Sequence, residues 1–528
     1  MIPSITRRGL LELLITGVGL PGIAQAAARD NVLVLGMDLG ETVTYDPAVG
    51  TGYTQPIVFE AAYDTLVSMP SNDYTSVKPA LASSWARTED GKGWQFTLRD
   101  GAKFNSGNPV TADDVKWSFD RVIHMGQQAS QYLTNVIETR VAAADKFEII
   151  LQDPTQPILG ILCAPSFIVY DRKVLEQHGG VSDAEAPSKD KATDWLNQHS
   201  CGSGAYTLTQ WQRNISTQLE ANPHYWRGPV AFRRVVIVHM SDPATQLLAI
   251  KRGTIDAAFN LVPEQVADLR TDDHVRIDRL TSLDFVYLLL TSGPELNKTL
   301  AIKEARQAIG YAIDYDGIKN SLLGGAAVRP ASFLPVGVLG ATERVTADIG
   351  FHQDYDKAKQ LLQQAGVPNG FSFKLSYGTQ LIAGVSYATI AQKIQSDLAR
   401  VGILAELDPL DPVTLRTQYN TGKSTSVLIF WNPPAVDNWL WAAATVQRVA
   451  KRAHWKPPQE IVNLVDQAAR EPDQSKQTAL WVEYQRRMVD QANLIVLFQP
   501  VYQIAVNTRI QALPLTASGW QVDLYAAK

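Results

Sequence analysis

The chain has 528 residues, of which 45% are hydrophobic and 19% charged, with a formal net charge of −5. That length exceeds what one hydrophobic core organises, so two or three domains are expected. No basic block or arginine stripe is present, which argues against a nucleic-acid partner. No apolar run after the first segment reaches the roughly 18 residues needed to span a bilayer.

The chain opens on a targeting segment. Thr6-Arg7-Arg8-Gly9-Leu10-Leu11 is similar to a twin-arginine export motif, an apolar run continues to Ile23, and Ala24-Gln25-Ala26 offers small residues for cleavage. Residues 1–26 are read as an export signal cut near Ala26, which places the mature chain in the periplasm. Glu12 inside the run leaves the export route open between the twin-arginine and general pathways. No cysteine follows the run, so no lipid anchor is expected. Cys163 and Cys201 are the only cysteines; an oxidising compartment permits a disulfide between them without requiring one.

Residues 31–37 read as an apolar strand that leads into Thr44-Tyr45-Asp46-Pro47-Ala48. Trp94, Phe96 and Leu98 alternate with polar residues between the turn dipeptides Asp90-Gly91 and Asp100-Gly101, which predicts a strand with one apolar face. Thr111 is a good N-cap, and Asp113 and Asp114 follow in the first turn of a helix that turns Val115, Ser118, Phe119 and Val122 inward. Ala305, Ala308, Ile309, Ala312 and Ile313 recur at helical spacing. Residues 354–366 form a helix closed by Gly366, and Tyr387 to Arg400 another closed by Gly402. Val427 to Phe430 is a short apolar strand stopped by Pro433-Pro434.

The ordered pattern from Pro79 to Arg121 resembles the signature of the dipeptide, oligopeptide and nickel class of periplasmic solute-binding proteins, which feed ABC importers. Further blocks agree in the same order: Tyr63-Asp64-Thr65-Leu66, Gly202-Ser203-Gly204-Ala205-Tyr206, Asn222-Pro223-His224-Tyr225-Trp226, Gly253-Thr254-Ile255-Asp256, Arg306 to Asp314, Tyr355 to Gly366 and Ile394 to Ile403. The resemblance implies an α/β, periplasmic-binding-protein type II-like fold: two lobes with a hinge plus an inserted third lobe. Lobe I is expected over 27–77, 203–287 and 500–528, lobe II over 78–202, and lobe III over 288–499. A solute is expected between lobes I and III, with delivery to a membrane permease. No cofactor, metal or catalytic residue is implied, and a monomer is expected. The Pro79–Arg121 stretch itself reads as scaffold far from the solute.

Specificity is expected around residues 427–441. The family's peptide-binding members place an Asp three residues after the Trp matched by Trp431; Pro434 stands there. They carry an Arg, for the peptide carboxylate, at a position matched by Leu381. Losing both charges argues against a plain dipeptide zwitterion, because each buried ligand charge needs a partner. Trp431, Trp439 and Trp441 suit stacking on a ring, a sugar or an apolar ligand face, or core packing. Asn432, Asp437 and Asn438 are candidate polar contacts, and Tyr45 a facing contact from lobe I. The solute expected is peptide-like or another small polar molecule; a sugar conjugate or opine-like compound is the alternative. An exported hydrolase would need a Ser/His/Asp constellation. Ser203 lacks nucleophile-elbow spacing, the eight histidines form no metal-binding pair, and Gly17-Val-Gly19-Leu-Pro-Gly22 lies in the export segment rather than after a strand.

Overall fold

The computed structural model describes residues 31–50, 54–69, 76–431, 436–516 and 522–528. The export segment and Asn432 to Ala435, with Pro434 among them, lie outside the described residues. The expected helices and strands form close to the places read from the sequence. Val32–Met37 is a strand, and so is Gly93–Leu98. The helix Ala112–Met125 is opened by Thr111, whose side chain accepts from the Asp114 N–H in a reciprocal capping box, and Gly126 ends it at φ 65°. Its buried face includes Val115, Ser118, Phe119 and Val122. The helices Lys303–Ala312, Tyr355–Gln364 and Tyr387–Ala399 follow, and the strand Ser426–Trp431.

One long sheet runs through two lobes. Its order is Leu404–Leu410, Ser372–Gly378, Ser426–Trp431, Phe285–Leu290, Leu494–Asn507, Ala257–Ala258, Val32–Met37, Arg234–His239, Ser216–Ala221 and Tyr206–Gln212. The 14-residue strand Leu494–Asn507 joins the lobes: Leu494 to Phe498 pair with Phe285–Leu290, and Ala505 and Val506 pair with Ala257–Ala258. At the third-lobe end, both sheet faces are covered. Val286, Leu288 and Leu290 enter one core with Ile309 and Ile394, while Phe285, Tyr287 and Leu289 enter another with Trp441 and Trp481. The period-two alternation of a strand therefore feeds two helical layers.

The inserted lobe has its own antiparallel sheet, ordered Ala82–Arg87, Gly93–Leu98, Lys146–Leu151 and Val136–Ala143. Phe96, Phe119 and Phe147 centre its core. A buried ion cluster ties this lobe to the N-terminal loop. Arg121 has a fully buried side chain and donates from both terminal nitrogens to the Asp46 carboxylate, at 2.9 and 2.7 Å. Its Nε donates to Asp190 at 2.8 Å, and its Nη1 to Tyr170 at 3.2 Å. Thr193 and the Ala48 N–H add donors to Asp46. The motif Gly253-Thr254-Ile255-Asp256 has a similar purpose: the buried Asp256 accepts from the Val34 N–H at 2.8 Å and from Arg509 Nε at 2.7 Å. The two cysteines are unpaired thiols. Among the described residues no helix is long and apolar enough to cross a membrane.

Burial opposes ionisation of Asp46, yet the Arg121 charge and the surrounding donors hold its carboxyl below the ordinary range. Its contribution to stability is present above the usual aspartate range and fades as pH falls through the lowered folded value. Asp46→Ala leaves Arg121 with half its counter-charge in a buried site, and should cost roughly 3–5 kcal/mol in urea denaturation at pH 7. The difference from the native chain should shrink in acid; an unchanged midpoint at neutral pH would show the cluster to be energetically idle.

Candidate functional site

A cavity of about 410 Å³ lies mainly between the third lobe and the inserted lobe, not in the cleft between lobes I and III where the resemblance places the solute. That volume falls in the range of small-molecule sites. One wall belongs to the third lobe: Leu339, Val436, Asp437, Asn438, Trp439 and Trp481. The facing wall is the inserted lobe, with Arg87, Trp94 and the segment from Thr155 to Gly160. Met69 and Val77 close one side. The lobes touch around it: a β-carbon added at Gly160 would lie 3.0 Å from the Val436 carbonyl, Arg470 pairs with Asp153 at 3.3 Å, and Arg448 stacks over Tyr132.

Asp437 caps the helix Asn438–Ala444, its carboxylate accepting from the Leu440 N–H at 3.0 Å. Burial pushes its carboxyl up to about 6, partly offset by N–H donors from Leu440 and Trp439. Among the described residues no cationic side chain pairs with it. The neighbouring Asn438 is turned to structure, donating from Nδ2 to the Leu339 carbonyl at 2.7 Å. Trp439 is half-buried and packs against the cores of both the third and the inserted lobe.

The structure separates the other aromatic candidates. Trp431 is half-buried, its ring edge-on to Phe333 at 5.1 Å between centroids, and its Nε1 is buried without a hydrogen-bond partner among the described residues. Trp441 is fully buried in a third-lobe core, so the helix that presents Trp439 uses Trp441 for packing. Tyr45 is 1% exposed; it stands edge-on to Trp211 and Phe59, and its hydroxyl shares a 2.8 Å hydrogen bond with Thr217. The expectation that Tyr45 faces the solute is set aside, because its whole surface is spent on the N-terminal core. Leu381 sits half-exposed on the small hairpin of Leu381–Ile382 and Val385–Ser386, away from the cavity walls.

Three of the six candidates, Asp437, Asn438 and Trp439, therefore share one cavity. Arg87, Trp94 and Gly160 line the same cavity and were not among the candidates read from the sequence. Trp94 carries the strand alternation that reads as packing, and nothing local marks its outward neighbour Arg87. Among the described residues no cluster of His, Cys, Asp and Glu is placed to hold a metal ion.

A family model described as bacterial extracellular solute-binding proteins, family 5, middle region, matches residues 76–447. The chain belongs to this family. The "Probable D,D-dipeptide-binding periplasmic protein DdpA" of Escherichia coli (strain K12) is 29% identical over 517 residues, covering 96% of each chain. Two solved structures share the fold. One is a dipeptide-binding protein from Pseudoalteromonas sp. SM9913 in complex with Met-Leu, with a TM-score of 0.79 and 21% identity over 94% of this chain and 99% of that one. The other is AgaA of A. tumefaciens R10 in complex with agropinic acid, with a TM-score of 0.76 and 23% identity over 94% and 98%. As a family 5 protein the chain is a solute-binding component of ABC import, and its two-lobe fold with an inserted lobe is that of the family.

Asp437 holds its proton more tightly folded than unfolded, so its contribution to stability is present below about pH 4 and lost as pH rises through about 6. Asp437→Asn keeps a capping oxygen. It should raise stability by about 1–2 kcal/mol at pH 7.5, and the gain should vanish near pH 4, read by thermal melting of both chains across that range. A pH-independent gain would assign the effect to the cap rather than to the buried charge.

Proposed function

We propose that this family 5 receptor captures a small peptide or peptide-like solute through its ammonium group, with Asp437 as the counter-charge. The observation that carries the reading is a carboxylate at a cavity wall, pushed up by burial and without a cationic partner among the described residues. A solute ammonium would supply the missing charge and lower the cost of keeping Asp437 ionised. Leu381 and Pro434 replace charges at the positions where peptide-binding members carry them, but Asp437 offers one elsewhere, so those replacements alone do not remove a dipeptide from consideration. The relative named for D,D-dipeptides supports a peptide-like solute. The opine or sugar-conjugate alternative rests on indole faces, and of the three tryptophans in the 431–441 segment only Trp439 lines the cavity.

In this reading the open form dominates without solute, contacts to facing walls shift the population towards closure about the Leu494–Asn507 strand, and the closed form docks on the permease. Residues 1–26 direct export and are removed near Ala26, the mature chain works in the periplasm as a monomer, and no turnover accompanies capture.

Calorimetric titration with D-alanyl-D-alanine, L-alanyl-L-alanine, and their N-acetyl forms tests the proposal. A free amine should bind at least about tenfold more tightly than its N-acetyl form, and Asp437→Asn should erase most of that ratio. Equal binding of both forms would remove the ammonium role; chemical conversion of a bound probe would overturn the receptor reading.

A further inference from the structure

A second cavity, of about 150 Å³, lies wholly within the third lobe and shares no residue with the first. Leu497 and Phe498, from the strand Leu494–Asn507, give it apolar surface. The helical segments Tyr315–Gly317 and Ile318–Leu322 and the helix Glu343–Ile349 supply further walls. Arg329 follows the short strand Ala327–Val328, which pairs with Pro500 and Gln499. Its guanidinium carbon stands 4.2 Å from the centre of the Tyr315 ring. Tyr315 is itself held, its hydroxyl donating to the Gly310 carbonyl at 2.9 Å. The stack fixes the guanidinium plane and uses none of its N–H groups. Among the described residues no carboxylate and no hydrogen-bond acceptor pairs with Arg329. Burial holds its pKa below the ordinary arginine range, and Tyr315 and Asp316 offset this only in part.

The other charges around the cavity leave this guanidinium uncompensated. Lys319 and Glu343 face each other loosely, at 4.0 Å, and Asp316 and Glu343 are exposed to solvent. Water filling the cavity accepts from the N–H groups but supplies no counter-charge against the apolar wall. A planar guanidinium with free parallel N–H groups matches an oxyanion, which it takes with two hydrogen bonds. We infer that this cavity is a second binding site of the chain, for a small oxyanion of the carboxylate or phosphate type, with Arg329 as the contacting residue and Lys319 as a supporting cation. Glu343 competes with the anion for Lys319 and, with Asp316, repels it, so the two carboxylates limit the affinity. The site flanks the strand that joins the lobes, since Leu497 and Phe498 line it and Val328 pairs with Gln499. It goes beyond the solute-receptor reading above and does not depend on which solute the chain captures.

Calorimetric titration of the full chain with sodium acetate, sodium phosphate and sodium sulfate, against sodium chloride at matched ionic strength, tests the inference. At least one oxyanion should bind with saturation and chloride should not, because screening alone does not tell them apart. The choice among the three separates a carboxylate from a phosphate-type ligand. Arg329→Gln should weaken binding by at least about tenfold, and Arg329→Lys should restore part of it, since a lysine keeps the charge but loses the fork. Glu343→Gln and Asp316→Asn should each tighten binding by roughly twofold or more, through loss of a repelling charge. A purely structural role for these carboxylates would not produce that gain. If Arg329→Gln fails to fold, the two carboxylate variants still decide, because unchanged binding in both overturns the site. Signals that grow equally with chloride and the oxyanions, or oxyanion binding that Arg329→Gln leaves intact, also overturn it. None of these failures touches the receptor reading, which is decided by the peptide titrations.

Discussion

Arg121 is the interaction on which the arrangement of lobes depends. Its guanidinium is fully buried between two carboxylates on separate segments, Asp46 in the N-terminal loop and Asp190 in the inserted lobe. Taking three charges from water is expensive, and only dense pairing recovers the cost. Here every side is occupied: Asp46 takes both terminal nitrogens, Asp190 takes Nε, and Tyr170 and Thr193 complete the shell. Such a cluster tolerates little displacement. It fixes the inserted lobe on the N-terminal lobe, and so fixes where Arg87, Trp94 and the 155–160 segment stand.

The second constraint is the strand Leu494–Asn507. It belongs to the third lobe at its beginning and to the N-terminal lobe at its end, so one continuous strand joins the two lobes. Hydrophobic cores on both faces of Phe285–Leu290 hold the third lobe together as one packed unit. Rigid lobes joined by a few backbone segments are suited to a receptor, because solute contacts to facing walls translate into one closed geometry. The contacts of Gly160 with Val436 and of Arg470 with Asp153 show that the inserted lobe also meets the third lobe.

The reading of local structure succeeded where short-range chemistry decides it. Thr111 with Asp114 fixes a helix start, Gly366 and Gly402 fix ends through positive φ, and the alternation of Trp94, Phe96 and Leu98 fixes a strand. Site assignment was less legible. Asp437 was accessible as a candidate because it is a polar group in the loop after the apolar strand, where the family resemblance places solute contacts. Tyr45 was misplaced because a tyrosine in a loop near a family motif looks alike whether its ring points to solvent or, as here, into Trp211 and Phe59. Trp441 and Trp439 lie on the same short helix, and the face that enters the core is set by what packs against it.

The amino-acid sequence by itself determined the family, the strand and helix order, and the absence of charge at Leu381 and Pro434, because these depend on residue identity and spacing along the chain. Only the tertiary structure decided which side chains share a cavity. Arg87 and Asp437 are 350 positions apart in the sequence, and only the packing of the inserted lobe against the third lobe brings both to the wall of one cavity. Burial, too, exists only after folding: it raises the Asp437 carboxyl and hides Tyr45, and no local pattern encodes it.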